Sequence, residues 1–255
     1  MELHDGAAAG MTGMTLLEIA VQDVAGAVAS ASLGADRLEL CAALAATGGI
    51  TPSVGLIDAV LAAVPGTVGV HVLVRPRAGS FVYSADELDV QVRDVRAAVR
   101  AGAAGVVIGA LSATGAVDRS AVARLVDAAD GREVTFHRAL DTVPYLEPAL
   151  DDLVALGIAR VLTSGGAARS IDGLDRLATA VGHSARRLQV MAGGGVRPAD
   201  IPALVAVGVD AVHLSASRHV DESGGPGGGS DGYTTTDPAL VTAAVAALGR
   251  GAAAQ

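Results

Sequence analysis

Ionisable side chains recur inside the most apolar runs of the chain, at every second position. In Arg37–Cys41, Arg37, Glu39 and Cys41 alternate with Leu38 and Leu40, and Glu18 sits between Leu17 and Ile19. His71, Leu73 and Arg75 alternate with Val70, Val72 and Val74; Thr135 and His137 alternate with Val134 and Phe136; His213 lies between Val212 and Leu214. An extended strand sends alternate residues to opposite faces, so each run offers one apolar and one polar face. Buried charge is costly unless paired, and both signs are present to pair. Two outcomes stay open: an internal salt-bridge network, or a functional constellation drawn from several strands.

The residue types define what such a constellation could do. Glu18, Glu39, His137 and Asp141 are candidate acid–base groups. Arg75 and Arg77 flank a proline, which favours extended backbone at Arg75. Both guanidinium groups then lie on one side, unless a turn at Ala78-Gly79 rotates Arg77 away. With Arg37 and Arg138 they form a candidate anion site, since the guanidinium fork matches carboxylate or phosphate. Thr163, Ser164 and His213 add donors, and Gly193, Gly194 and Gly195 supply backbone N–H groups that can cradle an anion. Cys41, the single cysteine, is the candidate metal ligand.

Positioning these groups requires a framework, and the chain alternates short β-branched runs with stretches of helical spacing. The runs are Leu16–Val21, Arg37–Cys41, Val68–Arg75, Gly105–Ile108, Val134–His137, Arg160–Thr163, Leu188–Ala192 and Ala211–Ser215. Between them, Asp86–Arg100 places Leu88, Val92, Val95 and Val99 on one face, and Ser120–Ala129 does the same with Val122, Leu125 and Val126. Strand–helix alternation implies a parallel sheet with crossover helices, and eight runs in 255 residues predict one closed (β/α)₈ TIM barrel. A weak repeat agrees with this: Gly34, Gly102, Gly157 and Gly208 each end a helix before runs two, four, six and eight. The barrel is expected over residues 15–250, with a disordered extension at 1–14 and a flexible glycine-rich loop at 223–232 that could be a lid or an inert surface loop. In this fold the functional residues sit at the C-terminal strand ends.

Composition removes several classes. Lysine is absent and all 18 basic residues are arginine, so Schiff-base chemistry is excluded. A net charge of −9 disfavours nucleic acid and anionic membranes as partners of the whole surface. No apolar run approaches the length of a spanning helix, and the start lacks the basic and apolar segments of a signal peptide. One cysteine allows no internal disulfide, which suits a cytoplasmic location. There is no Cys-x-x-Cys or His-Glu-x-x-His zinc signature and no strand-following Gly-x-Gly-x-x-Gly, so no nucleotide cofactor is indicated.

Seven stretches together resemble the CutC family: GADRLELC at 34–41, GGITPS at 48–53, RPRAGSFVYS at 75–84, VTFHRALD at 134–141, RVLTSGG at 160–166, MAGGGV at 191–196 and VHLSA at 212–216. The resemblance implies a cytoplasmic barrel, a homodimer, and copper binding or handling with copper ion as partner. Family members often carry further cysteines near the end of strand one, where this chain has Ala20 and Val21; only Cys41 matches a family cysteine. Copper(I) prefers thiolate and thioether ligands, so Met191 or a barrel histidine would have to complete a site. The alternative expectation is an enzyme that performs acid–base chemistry on a small phosphorylated or carboxylated metabolite.

Overall fold

The computed structural model describes residues 14–222, 224 and 232–250. Eight parallel strands close into a barrel in chain order: β1 (Leu16–Val21), β2 (Arg37–Leu40), β3 (Gly69–Leu73), β4 (Gly105–Ile108), β5 (Glu133–Phe136), β6 (Arg160–Thr163), β7 (Gln189–Gly193) and β8 (Ala211–Leu214). Between and after them run α1 (Val24–Ser32), α2 (Leu44–Thr47), α3 (Val54–Ala63), α4 (Ala85–Ala101), α5 (Arg119–Ala128), α6 (Leu146–Ala155), α7 (Leu174–Ser184), α8 (Ile201–Val207) and α9 (Pro238–Ala247). The expected (β/α)₈ barrel is therefore what forms. An antiparallel pair, β9 (Ser217–Val220) with β10 (Tyr233–Thr236), follows β8 and was not anticipated. The expected extension at 1–14 lies, up to residue 13, outside the described residues, and so does most of the loop expected at 223–232.

The outward strand faces are apolar. Leu17, Ile19, Leu38, Leu40, Ile108 and Phe136 are fully buried against the helices in one continuous core. Truncating a leucine in such a place costs about 2–5 kcal/mol. Helix ends are fixed locally. At α4, Ser84 accepts from the Glu87 N–H while the Glu87 carboxylate accepts from the Ser84 N–H, which satisfies two otherwise orphaned donors.

The glycine repeat has a structural basis. Gly34, Gly102, Gly157 and Gly208 all adopt positive φ, between 77° and 103°, directly before β2, β4, β6 and β8. Two of the copies also share an aspartate. The Asp36 carboxylate accepts from Leu17 N–H and the Asp210 carboxylate from Val190 N–H, each at 2.7 Å. Each thus pins its own strand's entry to the strand before it.

Several expected runs end earlier than their apolar pattern. His137 is not a strand residue: it caps a 3₁₀ turn, Arg138–Thr142, with its Nδ1 accepting from Ala139 N–H at 3.1 Å. The polar side chain thereby competes with the ladder for a backbone donor. Arg75 and Ser215 likewise lie beyond β3 and β8, in the loops that form the mouth.

Candidate functional site at the barrel mouth

Barrel closure puts β1 beside β8, with Glu18 in register with both Arg37 and His213. Glu18 Oε2 accepts from Arg37 Nε, and Glu18 Oε1 lies 2.7 Å from His213 Nδ1. The other ring nitrogen, Nε2, is 3.3 Å from Glu39 Oε2. Arg37 also directs Nη2 to Met191 Sδ at 3.3 Å. A buried chain, Arg37–Glu18–His213–Glu39, thus crosses the floor of the mouth.

Its members titrate differently. Burial opposes ionisation of Glu18, but Arg37 and His213 outweigh it and hold this carboxyl well below the usual range. Glu39 is pushed up to about 7, by burial and by the negative charge of Glu18, against the pull of His213 and Arg37. Burial would lower His213, yet Glu39 and Glu18 together raise it. Glu39 is therefore the floor carboxyl whose proton affinity is raised toward neutrality, the property a general acid–base group needs.

Above the floor is a cavity of about 300 Å³, lined among others by Glu39, His213, Arg75, His137, Arg138, Phe81, Gly194 and Gly195. Arg75 is 8% exposed and ties two loops together. Its Nη1 donates to Thr47 O at 2.8 Å and Gly49 O at 2.9 Å, and its Nη2 to Gly79 O at 3.1 Å. Phe81 packs on both Arg75 and His137, with its ring centroid 5.2 Å from the guanidinium carbon and 4.9 Å from the imidazole centroid. His137 is pushed down to about 3 by burial and by the Arg75 charge, so it is a neutral imidazole with its proton on Nε2. Glycines on the inner face make room for the rings: a Cβ at Gly109 would overlap His137, one at Gly105 would overlap His71, and one at Gly193 would crowd His213.

Asp141 organises the opposite rim. Its carboxylate accepts from Thr163 Oγ1 at 2.5 Å, Ser164 N at 2.9 Å, Ser164 Oγ at 2.9 Å, Gly166 N at 3.2 Å and Arg138 Nε at 2.7 Å. Thr163 and Ser164 are therefore spent on Asp141, and neither lines the cavity. Arg138, 42% exposed at its side chain, is held over Gly194, where a Cβ would collide with the guanidinium.

Other expected residues lie elsewhere. Arg77 is rotated out of the mouth, where its guanidinium pairs with Glu87 and stacks on Tyr83; the bend that runs from Pro76 to Gly79 has separated it from Arg75. Arg37 belongs to the floor and does not line the cavity. Cys41 packs with Leu44, Leu73 and Val107, and burial together with the Glu39 charge pushes its thiol up, which favours the protonated, inert form. The group of three among the described residues that could hold a metal ion is Glu18, Glu39 and His213, with donor atoms within 4.8 Å of one another. Sequence reading missed Phe81 at the mouth and Arg160 below it. Arg160, almost wholly buried, donates to Gln189, Thr135 and Glu133, each at 2.8–3.1 Å. Its signal was the alternation that placed Thr135 inward.

The CutC family model matches residues 15–218, which include every floor residue. The chain belongs to the CutC family. A CutC family protein of Agrobacterium fabrum is 45% identical over 203 residues, 79% of either chain. Another, from Caulobacter vibrioides, is 45% identical over 218 residues, 85% of this chain and 84% of its own. The crystal structure of CutC from Streptococcus agalactiae, a protein proposed to act in copper homeostasis, superposes with a TM-score of 0.74 at 30% identity and covers 79% of this chain and 99% of that one. More distant barrels, such as 3-hexulose-6-phosphate synthase at 20% identity and a TM-score of 0.58, share the fold alone. In this CutC-family barrel, Thr234 of β10 lines the cavity from beyond the matched stretch. Gln22 holds that wall, donating to Thr234 O at 2.9 Å and accepting from Leu44 N at 3.0 Å.

Proposed function

We propose that the mouth cavity binds a small anionic metabolite and that the protein acts on it by acid–base chemistry, with Glu39 accepting and returning a proton. The observation that carries this reading is the Glu39 carboxyl, buried at the cavity floor, in contact with His213 and raised to about 7. Glu18 and Arg37 position His213, and Arg75 and Arg138 supply positive charge to the walls. A proton taken from a carbon beside a carbonyl passes to Glu39 and is replaced from solvent. Incubation in D₂O with pyruvate, gluconate and dihydroxyacetone phosphate, followed by proton NMR, tests this. Solvent deuterium should enter at least one compound with the parent and not with Glu39→Gln. No exchange in any of them, or equal exchange by the variant, removes the reading.

A second reading, copper binding or handling in the cytoplasm by a homodimer, is supported by family membership and by the Glu18–Glu39–His213 cluster. No described helix is long and apolar enough to cross a membrane. Carboxylates and one imidazole suit a divalent cation better than Cu(I), which favours sulfur. The two sulfurs do not fit the ion well: Cys41 is a protonated thiol in an apolar niche, and Met191 already faces the Arg37 cation. Copper affinity, measured against a competing chelator, should be unchanged in Cys41→Ser and lost in His213→Gln. Absence of binding by the parent, or dependence on Cys41, rejects this assignment of the ligands.

A further inference from the structure

Charge is balanced around the cavity at every group but one. Arg37 meets Glu18, Arg138 meets Asp141, and His213 lies between Glu18 and Glu39. Arg75 has no carboxylate partner among the described residues: three of its N–H groups donate to neutral carbonyl oxygens, and Nε–H donates to nothing. The Tyr83 hydroxyl lies against this guanidinium as an acceptor, but a neutral acceptor leaves the charge unbalanced. His137, 5% exposed, has the same deficit, because its Nδ1 is taken by Ala139 and its Nε2 meets no acceptor. Both unpartnered donors belong to side chains that line one cavity and pack on the same face-providing residue, Phe81. Buried donors left unpaired cost free energy, and two of them beside an uncompensated cation describe the place of a ligand anion.

The rest of the wall says what the anion is attached to. Ser215, Ser217 and Thr234 bring hydroxyl groups to the cavity wall, on the chain that continues β8 beyond His213 and on the β9–β10 pair. Among the described residues only one positive charge at the cavity is uncompensated, which matches a monoanion. A phosphate monoester, at about −1.5 to −2 near neutrality, would be left in excess. Resting on the acid–base reading above, we propose that the ligand is a small hydroxycarboxylic acid, its carboxylate seated against Arg75 and His137 and its hydroxyl-bearing end turned to Glu39 and the serines. Three of the five guanidinium donors hold loops in place, so Arg75 both builds the wall and charges it.

Gluconate and L- and D-lactate serve as probes, with inorganic phosphate and glycerol as contrasts, each titrated into the full-length protein. Imidazole-nitrogen NMR should show the His137 Nε2 resonance moving with gluconate or lactate and not with glycerol. Binding measured by calorimetry should weaken roughly tenfold in His137→Phe, the loss of one hydrogen bond to a charged group. Arg75→Lys, which keeps the charge and removes Nε–H, should weaken it by a similar factor. Should His137→Phe fail to fold, the NMR titration of the parent still decides. No movement of His137 Nε2 with any acid overturns the proposal. So does tighter binding of phosphate at the same resonance, an outcome that leaves the acid–base reading standing. Loss of deuterium exchange with carboxylate binding intact would do the reverse.

Discussion

Replacing Glu39 by Gln should make the protein more stable relative to the parent as pH rises. In the parent this carboxyl titrates at about 7, where an exposed glutamate titrates at 4.5. At about 1.4 kcal/mol per tenfold change in proton affinity, moving from 4.5 to 7 corresponds to about 3 kcal/mol. The direction follows from the proton count. Between those two values the unfolded chain has released the proton and the folded chain keeps it, so folding is linked to proton uptake. The stability associated with Glu39 is complete below about pH 4.5 and gone above about pH 7. Glutamine is neutral throughout and loses nothing over that interval.

His213 works in the same direction. Its proton is held by both Glu39 and Glu18, so folding is linked to uptake of this proton too, and the variant, which leaves only Glu18 to hold it, loses less of that stability as pH rises. The expected net change between pH 5 and pH 8 is about 2–4 kcal/mol in favour of the variant. Urea denaturation followed by far-UV circular dichroism at several pH values measures it, with equal m-values as the control for a common unfolded state. A stability difference that stays constant with pH, or that turns against the variant on the alkaline side, would refute the assignment of Glu39 as the raised carboxyl.

Two further substitutions probe the mouth. Asp141→Ala leaves the Thr163, Ser164, Gly166 and Arg138 donors without their acceptor; thermal unfolding should show a loss of about 1–3 kcal/mol, the usual cost of leaving buried donors such as those of Thr163 and Ser164 unsatisfied. Gly109→Ala drives a methyl group into the His137 ring, and urea denaturation should report a cost of about 1–3 kcal/mol, typical of overpacking.

The barrel was legible because its outward strand faces are apolar almost without interruption, and period-two alternation then fixes what faces inward. Glu18, Glu39, His71 and His213 follow from that rule alone. Their pairing does not. Glu18 and His213 stand 195 positions apart in sequence, and only closure of β1 onto β8 with a particular register puts the imidazole between two carboxylates. Arg75 and Arg77 show the limit from the other side. Alternation holds while the backbone is extended; β3 ends at Leu73, and the positive φ of 88° at Gly79 belongs to a loop that follows its own geometry. The β9–β10 pair escaped notice because Ser217–Val220 and Tyr233–Thr236 are short and polar, with no buried face to impose a period.

The same register explains why a polar interior is tolerated and why only one of the two floor carboxyls has its proton affinity raised. Below the mouth, Arg160 finds Gln189, Thr135 and Glu133, and the partly exposed Glu133 lets that layer reach water. At the level of Glu18 the layer is closed, and the cost of burial is met by Arg37 on one side and His213 on the other. Glu39 lies one pleat nearer the mouth, beyond the reach of a direct guanidinium contact, and shares with Glu18 the one imidazole. Burial, reinforced by the negative charge of Glu18, is what keeps its proton on until neutrality. Position along a strand, more than residue type, separates the glutamate held ionised by its partners from the one that keeps its proton toward neutrality.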